Sequence, residues 1–479
     1  MKKYDRYKRL IMFVFTFILI ICQVIIFWVM WHQYYNLMLI IPFFRKGSWL
    51  MVTIYALLFL AFLKVFGGYR VGYYKKSDVV FSQILSILCL NGVTYLQISL
   101  LALRFISITH LLIMSGINIA IIVCWTLITD SIFKKLYPPR RMILLYGDRS
   151  PDSIIQKMGT RCDKYNICAA MNISRGYDAI VRELSNYEAV IIWDIPSEIR
   201  NPILKYCFGQ SIRTYVMPKL SDVIIMHSDN INLFDTPLLL SRNFGLTFDQ
   251  SVTKRILDIV FSGLAIIISS PIMLVVSIII KLYDHGPVLY KQDRLTLDGK
   301  VFKIFKFRSM IIDAEKDGVA RLAGEKDDRI TPVGKVLRTT RLDELPQLFN
   351  IFMGSMSMVG PRPERPEIAE EYLKEMPEFN YRLKVKAGLT GYAQVYGYYN
   401  TTPYDKLKLD ISYIESYSLW LDIKLMLLTF KILFRKESTQ GVSEGQITAQ
   451  QIYWTESELA STLDVFKTSD DCIKDTSIK

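Results

Sequence analysis

The sequence predicts a multi-domain membrane protein. An N-terminal four-helix transmembrane bundle is followed by a small α/β domain of degenerate Rossmann-like type on the cytoplasmic side. A C-terminal α+β domain with a re-entrant membrane helix completes it. Three observations predict this: four apolar runs of near bilayer length end by Ile128; short apolar strands alternate with polar helical segments from Met142; and a fifth apolar run, Ile256 to Ile280, carries Ser270-Pro271 in its middle and basic residues at both ends. With 479 residues, a net charge of +13, 51% hydrophobic residues and a mean hydropathy of +0.24, the chain is long enough for several domains and apolar enough for a membrane.

The first run, Leu10 to Met30, follows a basic lead of Lys2, Lys3, Arg6, Lys8 and Arg9. It is too long for a signal-peptide core and lacks a small-residue cleavage site, so it reads as a retained transmembrane helix. Trp49 to Phe66, Val79 to Leu103 and Phe105 to Ile128 follow, each near the roughly 20 residues a bilayer needs. Lys64, Arg70, Lys75 and Lys76 lie between the second and third runs, and Lys134, Lys135, Arg140 and Arg141 follow the fourth. Only Arg45, Lys46 and Arg104 occupy the opposite side, so everything after Ile128 begins in the cytoplasm. Seven cysteines without paired or metal-type spacing read as free thiols facing a reducing compartment. The basic excess fits a polyanionic partner, but its spread over membrane-flanking loops argues against nucleic acid.

The α/β domain is read from Met142 to Tyr146, Ala189 to Trp193, Arg213 to Val216 and Val223 to Ile225, ending near Phe248. A dinucleotide-binding fold wants a glycine-rich turn after its first strand. Here the turn is Gly147-Asp148-Arg149-Ser150-Pro151-Asp152, without the second and third glycines that let backbone approach a pyrophosphate. A spacer or oligomerisation role fits this domain better than a nucleotide site.

Lys254-Arg255 lead into the fifth run. A helix that crossed the bilayer with a tolerated proline would put the C-terminal domain outside the cell. Pro271 costs about 3 kcal/mol in an ordinary helix and allows the segment to enter, break at Ser270-Pro271 and return. Lys254 and Arg255 before it, and Lys281, Lys291 and Arg294 after it, favour a re-entrant helix over residues 254–281 with both ends inside. Beyond it, Val301 to Arg308 alternates apolar and basic residues as a strand or hairpin arm, with Lys303 and Lys306 on opposite faces.

The candidate chemistry lies between Arg338 and Arg365. Asp343 and Glu344 are adjacent, and Pro346 fits only the first turn of a helix, so the helix carrying Leu348, Phe349 and Phe352 begins near Asp343. Alone, such carboxylates are ordinary caps that answer unpaired amides and the helix dipole. Their neighbours change that reading: Arg338, Arg341, Arg362 and Arg365 flank the pair, and Pro361 and Pro363 stiffen the loop that presents Arg362. Guanidinium groups held in this way suit phosphate, and an ionised carboxylate among them can attack phosphorus. Farther on, Ser418 to Arg435 is apolar with Lys424, Lys431 and Arg435 on one helical face, which reads either as a core helix or as an interfacial helix with snorkelling lysines. A polar tail follows from Lys436.

From Lys254 to about Phe434 the chain resembles the bacterial sugar transferase family, the polyprenyl-phosphate hexose-1-phosphate transferases that begin capsule, exopolysaccharide and O-antigen synthesis. The resemblance is carried by Lys254-Arg255, Ser270-Pro271, Lys306 to Met310, Leu342 to Gln347, Val359 to Pro363 and Gly388 to Val395. One departure stands beside them: Ala387 occupies a position that is usually proline. The N-terminal helices and α/β domain match the larger members.

The resemblance implies transfer of a hexose-1-phosphate, from UDP-glucose or UDP-galactose, to undecaprenyl phosphate at the cytoplasmic face of the bacterial inner membrane. UMP would leave, and an aspartyl-phosphosugar would be the intermediate. It implies Asp343 as nucleophile, Glu344 as a catalytic ligand to Mg²⁺, and Lys306, Arg308, Arg338 and Arg362 as the grip on substrate phosphate. The implied domains are residues 1–137, 138–250, 251–436 and a tail, 437–479. Membrane helices beyond one anchor point to docking with a second copy or with later polysaccharide-assembly enzymes. Two rival readings are a non-catalytic membrane scaffold and a glycosyltransferase that releases UDP.

Overall fold

The computed structural model describes residues 5–233, 235–241, 245–311, 329–397 and 401–433. The predicted tail, and Arg435 with it, lies outside these residues. The described chain divides into two compact units after Met217.

The first unit opens with α1 (Lys8–Met30), α2 (Arg45–Phe66), α3 (Lys76–Leu101) and α4 (Thr109–Leu136), each long and apolar enough to cross a membrane. The fourth continues past Ile128 because Thr129, Asp130 and Phe133 are buried in its last turns. The bundle interior also holds polar groups that bond across helices: Tyr55 to Asn91 (3.1 Å), Asn91 to Ser115 (2.8 Å) and Thr126 to Gln83 (2.8 Å). In lipid, where apolar surfaces gain nothing by leaving the solvent, such bonds and close packing hold helices together.

A parallel sheet of order β2-β1-β3-β4 follows, built from β1 (Arg140–Tyr146), β2 (Tyr165–Asn172), β3 (Ala189–Trp193) and β4 (Arg213–Val216). Helices α5 (Asp152–Gly159), α6 (Tyr177–Leu184) and α7 (Ser197–Gly209) alternate with the strands. Strands β1 and β3 are central and covered on both faces, which is why they read as unbroken apolar runs. The turn after β1 closes on itself. A Cβ on Gly147 would lie 2.9 Å from the Asp194 carbonyl oxygen, and Arg149 stacks on Trp193 at 5.0 Å.

The second unit begins with α8 (Leu220–Met226), a helix where the sequence predicts a strand at Val223 to Ile225. Leu220, Val223 and Ile224 fall at helical spacing and pack into the core of Leu407 and Ile411, while the Asp222 carboxylate accepts from the Lys219 amide at 2.7 Å. A two-stranded hairpin, β5 (Asp229–Leu233) and β6 (Thr236–Leu240), leads to α9 (Phe248–Asp284).

Helix α9 has 37 residues and runs without interruption through Pro271, so the break expected at Ser270-Pro271 is not an unwinding. The reason is local. A proline at 271 cannot donate to the Ile267 carbonyl, and Ser270 Oγ donates to that same oxygen at 2.8 Å. One stripe of α9, from Lys254 through Asp258, Ser262, Ser269, Met273 and Val276 to Ile280, is buried. At 1.5 Å per residue this stripe is roughly 39 Å long.

Elements from the rest of the unit cover it. That remainder comprises the hairpin β7 (Leu289–Leu295) and β8 (Val301–Phe307), α10 (Pro332–Thr339), α11 (Gln347–Met353), β9 (Ser357–Val359), α12 (Pro366–Glu375), β10 (Gly388–Thr390), α13 (Tyr392–Tyr396), α14 (Pro403–Glu415) and α15 (Leu419–Leu433). Met273, Val276 and Ile280 meet Phe307 of β8 and Leu337 of α10. Asp258 Oδ1 accepts from Ser357 Oγ (3.0 Å) and the Met358 amide (2.8 Å), and Lys254 Nζ bonds Asp422 Oδ2 (2.5 Å) and Tyr413 OH (3.0 Å). One face of α15 packs into the core, with Asp422, Leu425, Leu428 and Lys431 buried, while Leu419, Trp420 and Phe430 are exposed. Lys431 is thus not presented to headgroups as the interfacial reading requires.

Candidate active site

The acidic pair sits on a turn built by its own sequence. Helix α10 ends at Thr339, and Arg341 takes a left-handed conformation (φ 59°) that reverses the chain. A single 3-10 turn, Leu342–Glu344, then presents Asp343 and Glu344, and Pro346 stands just ahead of α11. Leu342 and Leu345 anchor the turn in the core beside Phe307 and Leu337.

Glu344 gathers three cations. Arg362 Nη2 lies 3.2 Å from its Oε1, and Lys306 Nζ and Arg341 Nη1 each lie 3.8 Å from the same oxygen. Burial would push this carboxyl up, but Arg362, Lys306 and Arg341 together pull it down to about 2. Burial conversely lowers Lys306 to about 8, with Glu344 resisting the fall.

Asp343 behaves differently. It is buried, its Oδ1 has no hydrogen-bond partner among the described residues, and its carboxyl is pushed up, first by burial and then by the charge of Glu344. Lys306, Arg338 and Arg341 offset part of that rise. Two adjacent carboxyls with environments that drive their acidities apart are suited to different roles. One is fixed as an anion among cations; the other keeps an oxygen free to form a bond.

The remaining predicted residues divide. Arg338 is near enough to act on Asp343 and is held by a bond from its Nε to Ser309 Oγ at 2.8 Å. Arg308 is not brought to the pair. Its side chain is buried in an ion pair with Asp284, the last residue of α9, and Gly286 leaves room for it, since a Cβ there would collide with Nη1. Lys303 and Lys306 differ as the alternation predicts: Lys303 stands opposite Asp293 across the hairpin, while Lys306 reaches Glu344. Arg294, read from sequence only as a topology charge, is half-buried beside this site and bonds the Pro363 carbonyl at 3.1 Å.

Residues 249–436 match the family model described as bacterial sugar transferase. The chain is also 31% identical over 327 residues to the UDP-N-acetylgalactosamine-undecaprenyl-phosphate N-acetylgalactosaminephosphotransferase of Aeromonas hydrophila, covering 66% of this chain and 71% of that one. This chain belongs to the bacterial sugar transferase family. Within the family it is 41% identical over 214 residues to the UDP-glucose:undecaprenyl-phosphate glucose-1-phosphate transferase of Klebsiella pneumoniae, spanning 43% of this chain but only 44% of that relative's length. A putative undecaprenyl-phosphate N-acetylgalactosaminyl 1-phosphate transferase of Bacillus subtilis is 50% identical over 130 residues, 27% of this chain and 72% of that one.

Family members act on diphosphates, so the site's fit to a divalent cation matters. Among the described residues there is no group of three or more His, Cys, Asp or Glu side chains placed to hold a metal. Mg²⁺ does not need one, because it commonly takes one or two carboxylates and completes its shell with water and substrate phosphates. Glu344 offers a hard, ionised carboxylate whose ion pairs all fall on Oε1, leaving Oε2 available among the described residues. The residues fit a cation that arrives with the substrate's diphosphate.

Proposed function

We propose that this multi-pass membrane protein transfers a hexose-1-phosphate from a UDP-hexose to undecaprenyl phosphate, releasing UMP, as an initiating step of polysaccharide synthesis. The observation that carries this reading is the unpartnered Asp343 Oδ1 beside an ionised Glu344 and its three cations. Asp343 is the nucleophile. Its carboxylate attacks the phosphorus that bears the sugar, the bond from that phosphorus to the oxygen bridging the diphosphate breaks, and UMP leaves with the electron pair. A phosphate oxygen of undecaprenyl phosphate then attacks the aspartyl-phosphosugar, forming the lipid diphosphate sugar and returning the carboxylate. Arg362, Lys306 and Arg338 hold the phosphoryl oxygens through both steps. Glu344 would hold Mg²⁺, which would supply charge neutralisation of the diphosphate.

In this reading α9 bends at Pro271 without unwinding, and both of its ends lie at the cytoplasmic face. The roughly 39 Å buried stripe supports it, because a helix crossing the bilayer outright would carry the domain packed along its length into lipid. The relatives' names include both glucose and N-acetylgalactosamine, so the sugar is to be found by panel. Membranes containing the chain, undecaprenyl phosphate and Mg²⁺ are supplied with UDP-glucose, UDP-galactose or UDP-N-acetylgalactosamine labelled at the sugar-bearing phosphorus. UMP and a labelled lipid should appear together, and omission of the lipid should leave label on the natural chain but not on Asp343→Ala. Release of UDP, or no label on protein or lipid with any donor, overturns the reading.

A further inference from the structure

The loop that presents Arg362 is held on its carbonyl side by four donors from outside it. Pro361 and Pro363 have no amide hydrogen, so this segment cannot secure itself through its own donors. Instead four consecutive carbonyls are bonded outward. Pro361 O accepts from the Gly388 amide (2.9 Å), Arg362 O from Arg382 Nη2 (2.8 Å), Pro363 O from Arg294 Nη1 (3.1 Å) and Glu364 O from the Leu295 amide (3.0 Å).

Arg382 is the most committed of these donors. It lies in the 3-10 stretch Pro377–Lys384, is 4% exposed, and has its guanidinium over the Phe379 ring at 4.8 Å. Besides the Arg362 carbonyl, it pairs with Asp410 Oδ2 (3.0 Å) and Glu364 Oε1 (3.5 Å). Asp410, on α14, is 1% exposed. A buried arginine with two carboxylates would be satisfied without touching the loop. Its additional bond to the backbone of the very residue whose side chain reaches Glu344 ties the aim of Arg362 to Arg382.

We propose that Arg382, held in place by Asp410, is a positioning residue that fixes the Arg362 guanidinium against the substrate's phosphate. The inference rests on the phosphate role of Arg362 given above. It acts through Arg362, so its effect vanishes when Arg362 is gone.

The test is a double-mutant cycle on the full-length chain in native membranes, reading UMP release against UDP-sugar concentration. Arg362→Ala and Arg382→Ala should each raise KM about tenfold, and the double variant should match Arg362→Ala within about twofold. Losses that multiply in the double variant, or a fall in kcat with KM unmoved, would mean that Arg382 merely supports the fold, and the inference falls. If Arg382→Ala does not accumulate in the membrane, Asp410→Asn replaces it. That variant should raise KM several-fold with Arg362 present and leave it unmoved with Ala at 362; an equal rise in both backgrounds sinks the proposal. An Arg362→Ala variant with both kcat and KM unchanged removes the phosphate role itself, and this inference with it, which distinguishes that failure from the other.

Discussion

Glu344 and Asp410 are carboxylates on opposite sides of the Pro361 to Glu364 loop. Glu344 meets the Arg362 side chain, whereas Asp410 meets Arg382, which bonds the Arg362 carbonyl. Asp410 is buried and Glu344 largely so, yet Glu344 is pulled to about 2 while Asp410 is pushed up to about 6. Burial raises both. At Glu344 it is overcome by Arg362, Lys306 and Arg341; at Asp410 it is only partly offset by Arg382, because Glu364 adds a like charge. A buried pair that braces a loop is content with one cation. A site that awaits a diphosphate holds more positive charge than its own carboxylate needs.

Glu344→Gln should produce the largest effect on this contrast. It removes the anion that balances three cations, and UMP release should fall about 10³-fold, the scale on which removal of one electrostatic element slows an enzyme. The matching change behind the loop, Asp410→Asn, should cost only several-fold at low UDP-sugar. Equal losses would erase the distinction between the two carboxylates.

The pH dependence of stability is a finer probe. The folded-state pKa of Asp410 lies above its ordinary value of 3.8, so folding favours the protonated form. That contribution is fully present below about 3.8 and is lost as pH rises through about 6. The melting temperature of the natural chain, taken relative to Asp410→Asn, should therefore fall between pH 5 and pH 7. A flat difference would show that the folded-state pKa of Asp410 does not lie in this range. Arg308 supplies the smallest expected effect on turnover. The family resemblance implies a place for it in the phosphate grip, but it is paired with Asp284 at the end of α9. Arg308→Lys should lower the melting temperature by a few degrees, since lysine cannot reproduce a guanidinium's fork, while KM for the UDP-sugar moves less than twofold. A larger KM rise would return Arg308 to the phosphate site.

What the sequence disclosed follows from how local each signal is. Four apolar runs announce α1 to α4 because bilayer length is a property of consecutive residues, and Asp343-Glu344 with Pro346 announce their own turn for the same reason. Strand β2 escaped because its Asn, Cys and Ala residues carry little strand preference, and its place in the sheet comes from β1. Three apolar residues at Val223 to Ile225 fit either period, and only the Leu407 and Ile411 surface selects the helix. Arg382 and Asp410 were invisible for a stronger reason: each looks like a solvated charge until the fold pairs them and brings Arg382 to Arg362. The departure at Ala387 is answered in a similar way. A proline there would lack the amide that now donates to Thr296 Oγ1 at 3.2 Å.

The covered stripe on α9 also bears on the order of events at the ribosome. Lys254 and Asp258 leave the exit tunnel long before their partners Asp422, Tyr413 and Ser357 have been translated. A nascent segment with those groups still bare pays for any deep partition into hydrocarbon, while the Ser270 hydroxyl spares it an orphan carbonyl at Pro271. On the proposed re-entrant topology, the polar end of the newborn helix therefore favours the headgroup region until those partners are made.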